Sequence, residues 1–435
     1  MGARESRVRV LVVANAHPDH SVGGAEIAAY NLFQFLAAAP AVEAAMFLAR
    51  TALKSIAPGS ISARRPGEFL WRQDIGDWFT FSSAYPRAIS DQLRTLLFRH
   101  RPDVIFVHHY LHLGIEILRE FRRTLPDCTI IMTLHEFGAI CNRQGQMLKA
   151  DSNRLCFSES PEDCHLCFPE RSAEDFWLRR LYIQKHLGVV DSFVAPSHFL
   201  RERYVAWGLA PERIDVIENG QPGRDALAPP RRSRSRGERT VTVGFFGQIN
   251  PYKGLDVLLA AATALDAAVW RGLVLEVHGA NLDEQSSSFR VRIDALRERL
   301  PETARLHWGG PYERTELAGR MARVDCVVVP SIWWENSPMV IQEAFACGKP
   351  VICSGIGGMA EKVRDGIDGL HFEVGNPLAL AERLTQLVAE PDLLSRLAEG
   401  IIAPPTYAES GAAYIALADR VAQVRRTATT IAALV

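Results

Sequence analysis

The sequence predicts an α/β protein made of two doubly wound, Rossmann-like domains that face a central cleft. Short apolar runs alternate with amphipathic helical segments along almost the whole chain. A polar stretch without apolar residues to anchor it, "APPRRSRSRGERT" at 228–240, divides this alternation into two series. Strands that alternate with helices form parallel sheets covered on both faces, and buried parallel strands are nearly continuous apolar runs.

The first series opens with a Val-rich run at 7–14, the turn "HPDHSVGGAE" and the amphipathic segment "AEIAAYNLFQFLAAA". A strand, a glycine-containing loop and a helix in this order open nucleotide-type α/β domains. Four further buried strands and one helix between the first two of them are predicted. The strands are 102–109, 128–136, 190–197 and 213–220, and the helix is 114–125.

The second series runs from "TVTVGFFGQ" through "LVLEVHGA", "DCVVVPS" and "KPVICS" to "GLHFEVG". The segment between the two series is interpreted as a solvated linker rather than a nucleic-acid patch. The chain is therefore divided into four parts. They are an N-terminal domain at 1–223 with a Cys-rich loop at 141–167, a linker at 224–240, a C-terminal domain at 241–402 and a final helix at 403–435. The final helix can pack on either domain, and one possibility is that it crosses back to the N-terminal domain.

The composition is that of an ordinary globular protein, with 435 residues, 48% apolar and 23% charged, and a net charge of −1. This charge balance does not favour nucleic acid as a partner. No apolar run reaches about 18 residues, so no transmembrane helix is expected. The start, "MGARESRVRVLVVANAH", becomes β-like too early for a signal peptide, and a cytoplasmic location is expected. A peripheral position on the cytoplasmic membrane face stays open.

Two acidic residues, Glu335 and Glu343, lie in the otherwise apolar segment "SIWWENSPMVIQEAFACGKPVICS". "DCVVVPS" is a strand, Ser337 suits a helix N-cap and Pro338 suits the first helical position. Glu335 then lies in the loop before a helix, and Glu343 lies within that helix. Open α/β sheets bind ligands at such a loop, and the start of a helix suits a phosphate.

These two carboxylates indicate a ligand with many hydroxyl groups, because an ionised carboxylate only accepts hydrogen bonds. A nucleotide sugar has hydroxyl groups on both sides of its diphosphate. The alternative is that Glu335 interacts with the helix dipole and Glu343 lies on a solvated helix face. Lys253, one of six lysines in this Arg-rich chain, is placed as a point charge on a diphosphate. "SGIGGMAEKV" adds flexible backbone and a third acid, Glu361.

Taken in order, the motifs of this chain resemble those of the retaining glycosyltransferases of family 4, which have the GT-B fold. The resemblance covers nearly the whole length, and the ordered set is far more specific than any single motif. The motifs are "GGAE" (23–26), "TLHE" (133–136), "APS" (195–197), "ENG" (218–220), "GQINPYKG" (247–254), "ENSPMVIQEAFACGKPV" (335–351), "GIGGMAE" (355–361) and "DGIDGLHFEVGNPLALAERL" (365–384).

The resemblance implies roles for individual residues. Glu343 would bind the ribose hydroxyls, Glu335 the donor sugar hydroxyls and Lys253 the diphosphate. His135 would stand near the reacting centre. The alternative is a structural histidine at a strand end whose hydrogen bonds are all made within the fold. The implied catalytic residues are His135, Glu335 and Lys253. The implied donor-binding residues are Gly23, Gly24, Gln248, Lys253, Asn336, Ser337, Pro338, Met339, Val340, Glu343 and Glu361.

The implied reaction transfers a sugar from a nucleoside diphosphate sugar to a hydroxyl of a glycan or lipid-linked acceptor. The anomeric configuration would be retained, and protein cations would replace a catalytic metal. Bacterial polysaccharide or lipopolysaccharide assembly is the implied setting. Other readings are a non-catalytic sugar-nucleotide-binding or interaction protein, a sugar-nucleotide epimerase of the same fold, or a phosphorylase.

Two departures from the family pattern bear on this expectation. Many relatives have Arg at the position of Gln248, so one positive charge is missing from the expected diphosphate site. Gln221 replaces a Val-Asp pair that relatives often show, which leaves the contacts of that loop open.

Four of the eight cysteines, in the spacing C-x14-C-x7-C-x2-C, lie in a polar loop. This pattern suits a tetrahedral structural zinc site formed by Cys141, Cys156, Cys164 and Cys167, with His165 as a substitute ligand. Disulfides and unligated thiols are the alternatives. The following segment, "DFWLRRLYIQKHL" at 175–187, is interpreted as a packed helix in preference to an anionic-membrane contact.

Overall fold

Two mainly parallel sheets organise the chain, one in each of two structural units. The computed structural model describes residues 7–21, 23–223 and 240–432. Unit 1 comprises Met1–Gly220 and Tyr407–Val435, and unit 2 comprises Gln221–Thr406. The predicted linker, 224–240, lies outside the described residues except for Thr240.

The sheet of unit 1 has eight strands, in the order β10-β9-β8-β7-β1-β2-β4-β3. All neighbouring strands are parallel except β3 and β4, and β5 and β6 form a separate antiparallel pair. The strands are β1 (Val8–Ala14), β2 (Val42–Arg50), β3 (Ile61–Arg65), β4 (Glu68–Trp71), β5 (Ile75–Asp77), β6 (Ser82–Ser83), β7 (Val104–Val107), β8 (Thr129–Thr133), β9 (Ser192–Ala195) and β10 (Ile214–Val216).

Helices connect these strands. They are α1 (Gly24–Ala38), α2 (Pro86–Ala88), α3 (Arg94–His100), α4 (Glu116–Thr124), α5 (Pro161–Cys167), α6 (Ala173–Leu187) and α7 (His198–Trp207). A π-helical turn, Ile89–Leu93, joins α2 to α3, and a 3₁₀ turn, Pro211–Arg213, precedes β10.

The sheet of unit 2 has six parallel strands in the order β13-β12-β11-β14-β15-β16. The strands are β11 (Val241–Gln248), β12 (Leu273–Ala280), β13 (Leu306–Gly310), β14 (Cys326–Val329), β15 (Val351–Ser354) and β16 (Gly369–Phe372). The helices are α8 (Leu255–Thr263), α9 (Ala267–Gly272), α10 (Ser287–Glu298), α11 (Arg314–Met321), α12 (Met339–Ala346), α13 (Gly357–Lys362), α14 (Pro377–Ala389) and α15 (Leu393–Gly400).

The last helix, α16 (Tyr407–Ala432), belongs to unit 1. Its side chains Tyr414, Leu417 and Ala418 are buried in the same hydrophobic core as Val12 of β1 and Phe106 of β7. Unit 1 therefore combines two segments that are far apart in the sequence.

Both sheets have a topological switch point beside their first strand. In unit 1, β1 lies between β2 and β7, and in unit 2, β11 lies between β12 and β14. Successive connections leave in opposite directions from such a point, and a crevice forms at the carboxyl ends of the strands. We therefore expect ligand contacts from the loops that follow β1, β7, β11 and β14.

Several elements differ from the sequence prediction. No strand was assigned to 42–83, where the structure has β2 to β6. The strands predicted at 102–109 and 128–136 end at Val107 and Thr133. As a result, His108, His109 and His135 lie in loops at the carboxyl edge of the sheet. Among the described residues, none of the helices combines the length and apolar character needed to cross a membrane.

Candidate functional site

Lys253 lies in the loop that follows β11. The side chain of Asn250 organises this loop, because its Oδ1 accepts hydrogen bonds from the backbone N–H groups of Tyr252 (3.0 Å) and Lys253 (3.2 Å). Asn commonly bonds the backbone two residues ahead, and this stabilises a tight turn. The turn directs the chain from the strand into α8.

The Lys253 turn packs directly against the end of β14. Gly254 has φ +71°, and a Cβ atom there would lie 1.9 Å from the carbonyl oxygen of Pro330, so only glycine fits. The carbonyl oxygen of Tyr252 accepts a hydrogen bond from the N–H of Ile332 at 2.9 Å. The loops after β11 and β14 are therefore held together at the switch point of unit 2.

This contact brings Lys253 and Glu335 together as an ion pair. Lys253 Nζ lies 2.6 Å from Glu335 Oε1, and the carboxylate residue is only 5% exposed. The same oxygen accepts hydrogen bonds from Ser331 Oγ (2.8 Å) and Trp333 Nε1 (2.9 Å). Lys253 Nζ also lies 5.7 Å from the centroid of the Trp333 ring. Sequence reasoning assigned no role to Ser331 or Trp333.

The Glu335 carboxylate is held in its charged form. Burial alone would raise its pKa, but Lys253 and the hydrogen bonds from Ser331 and Trp333 outweigh burial and lower the pKa below its usual value. An ionised carboxylate at this position can accept hydrogen bonds from hydroxyl groups of a ligand.

The helix after Glu335 begins at Met339, close to the predicted start, but its cap differs from the prediction. Pro338, with ψ 114°, is the N-cap of α12, and the helix begins at Met339. The prediction that Ser337 caps the helix is wrong, because Ser337 lies one position too early for its side chain to reach the first turn. Its Oγ is buried without a hydrogen-bond partner, and its N–H donates to Asn336 Oδ1 at 2.6 Å.

The start of α12 presents backbone N–H groups at the same end of the sheet. The N–H groups of Met339 and Val340 precede any helical acceptor, as in every helix start, and carry partial positive charge. The N–H of Ile341 already donates to the carbonyl oxygen of Pro338 at 3.1 Å. The arrangement can therefore bind an anionic group.

The predicted motif at 355–361 contacts the loop that contains Glu335. The N–H of Gly358 donates to the carbonyl oxygen of Glu335 at 2.8 Å, and a Cβ atom on Gly358 would lie 2.1 Å from the carbonyl oxygen of Asn336. A glycine is needed for this approach. Glu361 lies further along the short helix α13 and is partly exposed.

Glu343 lies within α12 and is partly exposed. Burial raises its pKa to about 7, and Arg314 at the start of α11 opposes this shift. Tyr312 is also close, since burial and then the charge of Glu343 raise the pKa of its hydroxyl. Tyr312 and Arg314 were not predicted, because they precede Glu343 by two secondary-structure elements.

The two departures from the family pattern lie in different surroundings. Gln248 is the last residue of β11, and its side chain is exposed. Gln221 is buried, its N–H donates to the carbonyl oxygen of Pro405 at 2.8 Å, and its Nε2 lies 3.5 Å from Gln342 Oε1. Gln221 therefore has a structural environment, whereas Gln248 is accessible at the carboxyl edge.

In unit 1, Gly23 and Gly24 open α1 at the loop that follows β1. A Cβ atom on Gly23 would lie 2.2 Å from Oε2 of Glu26, a residue that is 8% exposed and whose pKa is raised by burial. A glycine at 23 therefore leaves room for the Glu26 carboxylate. Gly24, the first helical residue, is exposed.

His135 lies two residues after β8 and is partly exposed. Its Nε2 is 2.9 Å from Nδ1 of His108, which follows β7. Burial, with a further contribution from His108, lowers the pKa of His135 well below its usual value. The ring is therefore neutral near pH 7 and can take part in hydrogen bonds without adding charge.

The Cys-rich loop contains three short structured pieces. Cys141 follows the turn after His135, Cys156 ends a hairpin in which its N–H donates to the carbonyl oxygen of Met147, and Cys164 and Cys167 lie one turn apart on α5. Burial raises the pKa of Cys164 to about 12, and the charges of Cys141 and Cys156 contribute to that shift.

The four thiols are thus neighbours, but they do not form a preassembled zinc site. All eight cysteines are free thiols, so the disulfide alternative is absent from this structure. Within 7–21, 23–223 and 240–432, no group of three or more His, Cys, Asp or Glu side chains is arranged to hold a metal ion. Structural zinc stays a prediction, which metal analysis of the purified protein would check.

Comparison with known families identifies this architecture. The family profile described as "Glycosyltransferase Family 4" matches residues 22–221, and that described as "Glycosyl transferases group 1" matches 230–402. The two profiles together cover most of the chain. The chain belongs to these glycosyltransferases. The resemblance found from the motifs is therefore confirmed.

This family 4 glycosyltransferase chain also matches curated relatives. A D-inositol 3-phosphate glycosyltransferase of Rhodococcus opacus is 35% identical over 314 residues, which are 69% of this chain and 63% of the relative. A protein of the same name from Salinispora arenicola is 31% identical over 207 residues, 44% of this chain and 45% of the relative. The match therefore spans less than two thirds of either relative.

Solved structures of other proteins share the fold. A sucrose-phosphate synthase from Thermosynechococcus elongatus has a TM-score of 0.68 at 19% identity, covering 98% of this chain and 100% of the other. Anabaena HepE, crystallised with UDP and glucose, has a TM-score of 0.59 at 15% identity, with the same coverage. The predicted fold class, GT-B with two Rossmann-like domains, is confirmed.

Proposed function

We propose that this protein transfers a sugar from a nucleoside diphosphate sugar to a hydroxyl group of an acceptor. The Lys253–Glu335 ion pair, at the switch point of unit 2, is the observation that carries this proposal. Helix α12 starts four residues after Glu335, and Glu343 lies within that helix. These groups match a diphosphate, a hexose and a ribose in chemistry.

Known proteins of the same fold support a nucleotide-sugar donor. HepE was crystallised with UDP and with UDP-glucose, and the curated relatives are named as glycosyltransferases. A glycan or lipid-linked acceptor in bacterial polysaccharide or lipopolysaccharide assembly is part of the proposal.

The Lys253–Glu335 pair would be shared with the donor rather than broken by it. Lys253 has three N–H donors, so its ammonium can contact a phosphate oxygen while it still bonds Glu335. Glu335 keeps a second carboxylate oxygen for sugar hydroxyls. The pair would then join the charged and the hydroxyl-bearing parts of the donor in one fixed arrangement.

In the proposed reaction, the bond between the anomeric carbon and the diphosphate oxygen breaks, and a bond from the acceptor oxygen forms on the same face. The acceptor proton passes to the departing diphosphate. Negative charge grows on that diphosphate in the transition state, and Lys253 and the N–H groups of α12 would stabilise it. We therefore propose retention of configuration and catalysis without a metal ion.

Peripheral membrane contact and a cytoplasmic location belong to the same proposal. Trp177, Leu178 and Leu181 form one face of α6 and are 53%, 55% and 43% exposed. Exposed cations lie nearby, Lys185 on α6 and Arg119 on α4, which packs against α6. An anionic bilayer suits an apolar face bordered by cations.

Co-sedimentation of the protein with phosphatidylglycerol vesicles should exceed that with phosphatidylcholine vesicles, and Trp177→Ala should reduce the binding to phosphatidylglycerol. Equal sedimentation with both kinds of vesicle would refute the membrane contact.

A donor panel tests the enzymatic function directly. UDP-, GDP-, ADP- and TDP-linked sugars are incubated with candidate acceptors, and nucleoside diphosphate release and the anomeric configuration of the product are followed by NMR. Lys253→Ala should lower turnover about 100-fold or more, as loss of one oxyanion donor does in other enzymes. Lys54→Ala, an exposed residue of unit 1, is the matched control. Equal turnover by wild type and Lys253→Ala would contradict the site.

A non-catalytic sugar-nucleotide-binding protein is the second candidate, and Gln248 is the observation that favours it. A neutral, exposed side chain stands at the end of β11, where the family resemblance leads us to expect an arginine. Binding of donors without release or transfer would favour this candidate. In that case Gln248→Arg should restore charge at the diphosphate and raise turnover, whereas an active wild type would exclude the candidate.

A further inference from the structure

His108 lies directly behind His135 at the carboxyl edge of the unit 1 sheet. It follows β7, is 2% exposed, and its Nδ1 lies 2.9 Å from Nε2 of His135. The two rings are stacked, with centroids 5.2 Å apart and an interplanar angle of 24°. The partly exposed His135 is therefore held by a fully buried imidazole.

The buried imidazole is itself fixed by helix α16. The ring of Tyr414 stacks on His108 with centroids 6.0 Å apart, and the Tyr414 hydroxyl bonds Thr133 Oγ1 at 2.9 Å. Thr133 is the last residue of β8 and precedes His135 by two positions. The orientation of His108 is thus set by Tyr414 of α16, which is itself held by its hydrogen bond to β8.

The other ring nitrogen of His108 faces a small cavity. His108 Nε2 and Asn31 Nδ2 are both buried without a hydrogen-bond partner, and both residues line the same cavity of about 20 Å³. A cavity of roughly 10–15 Å³ accommodates one water molecule when polar partners are present. Asn219, Gly220 and Ser410 also line the cavity.

We propose that His108 is a positioning residue for His135, and that one buried water in this cavity joins Asn31 Nδ2 to His108 Nε2. The inference rests on the proposed function, in which His135 would stand near the reacting centre as the family resemblance implies. Asn31 Nδ2 donates to the water, the water donates to His108 Nε2, and the N–H at His108 Nδ1 donates to His135 Nε2. Helix α1 is thereby connected to His135.

This chain of bonds fixes the proton positions on both rings. A neutral imidazole has one N–H donor and one acceptor nitrogen, so a water that donates to Nε2 keeps the proton of His108 on Nδ1. That choice determines whether His135 Nε2 donates or accepts, and hence which nitrogen of His135 carries its proton. Burial lowers the pKa of His108 to about 3, with His109 adding to the shift, so the ring stays neutral near pH 7.

The test separates the hydrogen bond from ring stacking. His108→Phe keeps an aromatic ring but removes both nitrogens. His109→Phe is the matched control, because the His109 ring also stacks on His135, at 6.2 Å and 25°, whereas the 2.9 Å ring contact of His135 is made by His108.

The first readout is the tautomer of His135, measured by ¹⁵N NMR of histidine-labelled protein at pH 7. The wild type should show one neutral tautomer, His109→Phe should keep it, and His108→Phe should show averaged signals. Averaged signals in the wild type, or an unchanged tautomer in His108→Phe, would overturn the proposal. This measurement needs no donor, so its result is independent of whether the proposed transfer reaction is found.

The second readout is kinetic and uses the donor that the panel identifies. His108→Phe should lower kcat about tenfold or more with little change in the donor KM, by analogy with the loss seen when a partner that orients a metal-bound histidine is removed. If the water bridge exists, Asn31→Leu, although remote from His135, should also replace the single tautomer of His135 by averaged signals, as His108→Phe does. An unshifted tautomer in Asn31→Leu would remove the water from the proposal.

Discussion

Trp333 contacts both charged groups of the proposed donor site with different parts of its indole ring. Its Nε1 donates to Glu335 at 2.9 Å, and its face lies 5.7 Å from the ammonium of Lys253. The sequence could not indicate this role, because a tryptophan two positions before a glutamate is equally consistent with a core residue. The contact depends on how the loops after β11 and β14 meet.

We therefore expect Trp333→Phe to impair the site without unfolding it. The variant keeps an aromatic face for Lys253 but removes a hydrogen bond to a charged group, and such bonds contribute about 1.5–3 kcal/mol. The value of kcat/KM should fall about tenfold or more in steady-state assays. Trp308→Phe, on the distant strand β13, is the control, and an equal loss in both variants would argue against a specific role.

Glu343 is expected to give the proposed donor site a pH dependence. Its pKa of about 7 lies above the ordinary value of 4.5, so the native state binds an extra proton between these values. Its contribution to stability therefore falls as the pH rises through this window. Ribose hydroxyls donate hydrogen bonds to the ionised form, so donor binding should favour ionisation and release a proton.

Calorimetric titration with a nucleoside diphosphate sugar at pH 6 and pH 8 measures this effect. The two phosphates of such a donor do not titrate in this range, which isolates the protein group. Affinity should rise up to about tenfold from pH 6 to pH 8. Glu343→Gln should bind more weakly and without this dependence. Tighter binding at pH 6 in the wild type would show that Glu343 does not face the ribose.

Helix α6 connects the protein surface to the turn that follows His135. On its buried face, Arg179 is 3% exposed and donates hydrogen bonds to the carbonyl oxygens of Phe79, Gly138 and Ala139. Trp177 and Leu178 occupy the opposite, exposed face. The sequence favoured a packed helix over a membrane contact, and this helix has one packed face and one exposed apolar face.

Loss of the Arg179 side chain should therefore destabilise unit 1. Arg179→Met leaves buried carbonyl oxygens without donors, which costs about 3 kcal/mol in the free energy of unfolding. Arg123→Met changes an exposed arginine of α4 and should have little effect. Urea unfolding, followed by far-UV circular dichroism, compares the two variants. Similar unfolding midpoints would contradict a stabilising role for the Arg179 hydrogen bonds.

Helix α16 should contribute to the stability of unit 1, since it supplies part of the core. Leu417→Ala empties a buried position that is 2% exposed and should lower the free energy of unfolding by about 2–4 kcal/mol. Val424→Ala alters a residue of the same helix that is 65% exposed and should change it by less than about 0.5 kcal/mol. Hydrogen exchange in β1 and β7 should report the difference, and equal exchange in both variants would contradict this packing.

At the scale of the whole molecule, alternating strands and helices were enough to predict two Rossmann-like domains. Periodicity also located the loops after β11 and β14, which is why Lys253 and Glu335 could be placed at one edge of a sheet. The same reasoning could not find contacts between residues far apart in sequence, such as His108 with His135. It also assigned the α12 cap to Ser337, because serine is a preferred capping residue, whereas Pro338 takes that position.

Hydrogen–deuterium exchange with and without a nucleoside diphosphate sugar tests the central claim most directly. Binding should slow exchange in the turn at 250–254, in the loop and helix at 335–346, and at the start of α13, 357–362, because these backbone groups surround the proposed diphosphate and sugar positions. If a bound donor instead protects other segments and leaves these three unchanged, the donor site proposed for unit 2 is wrong.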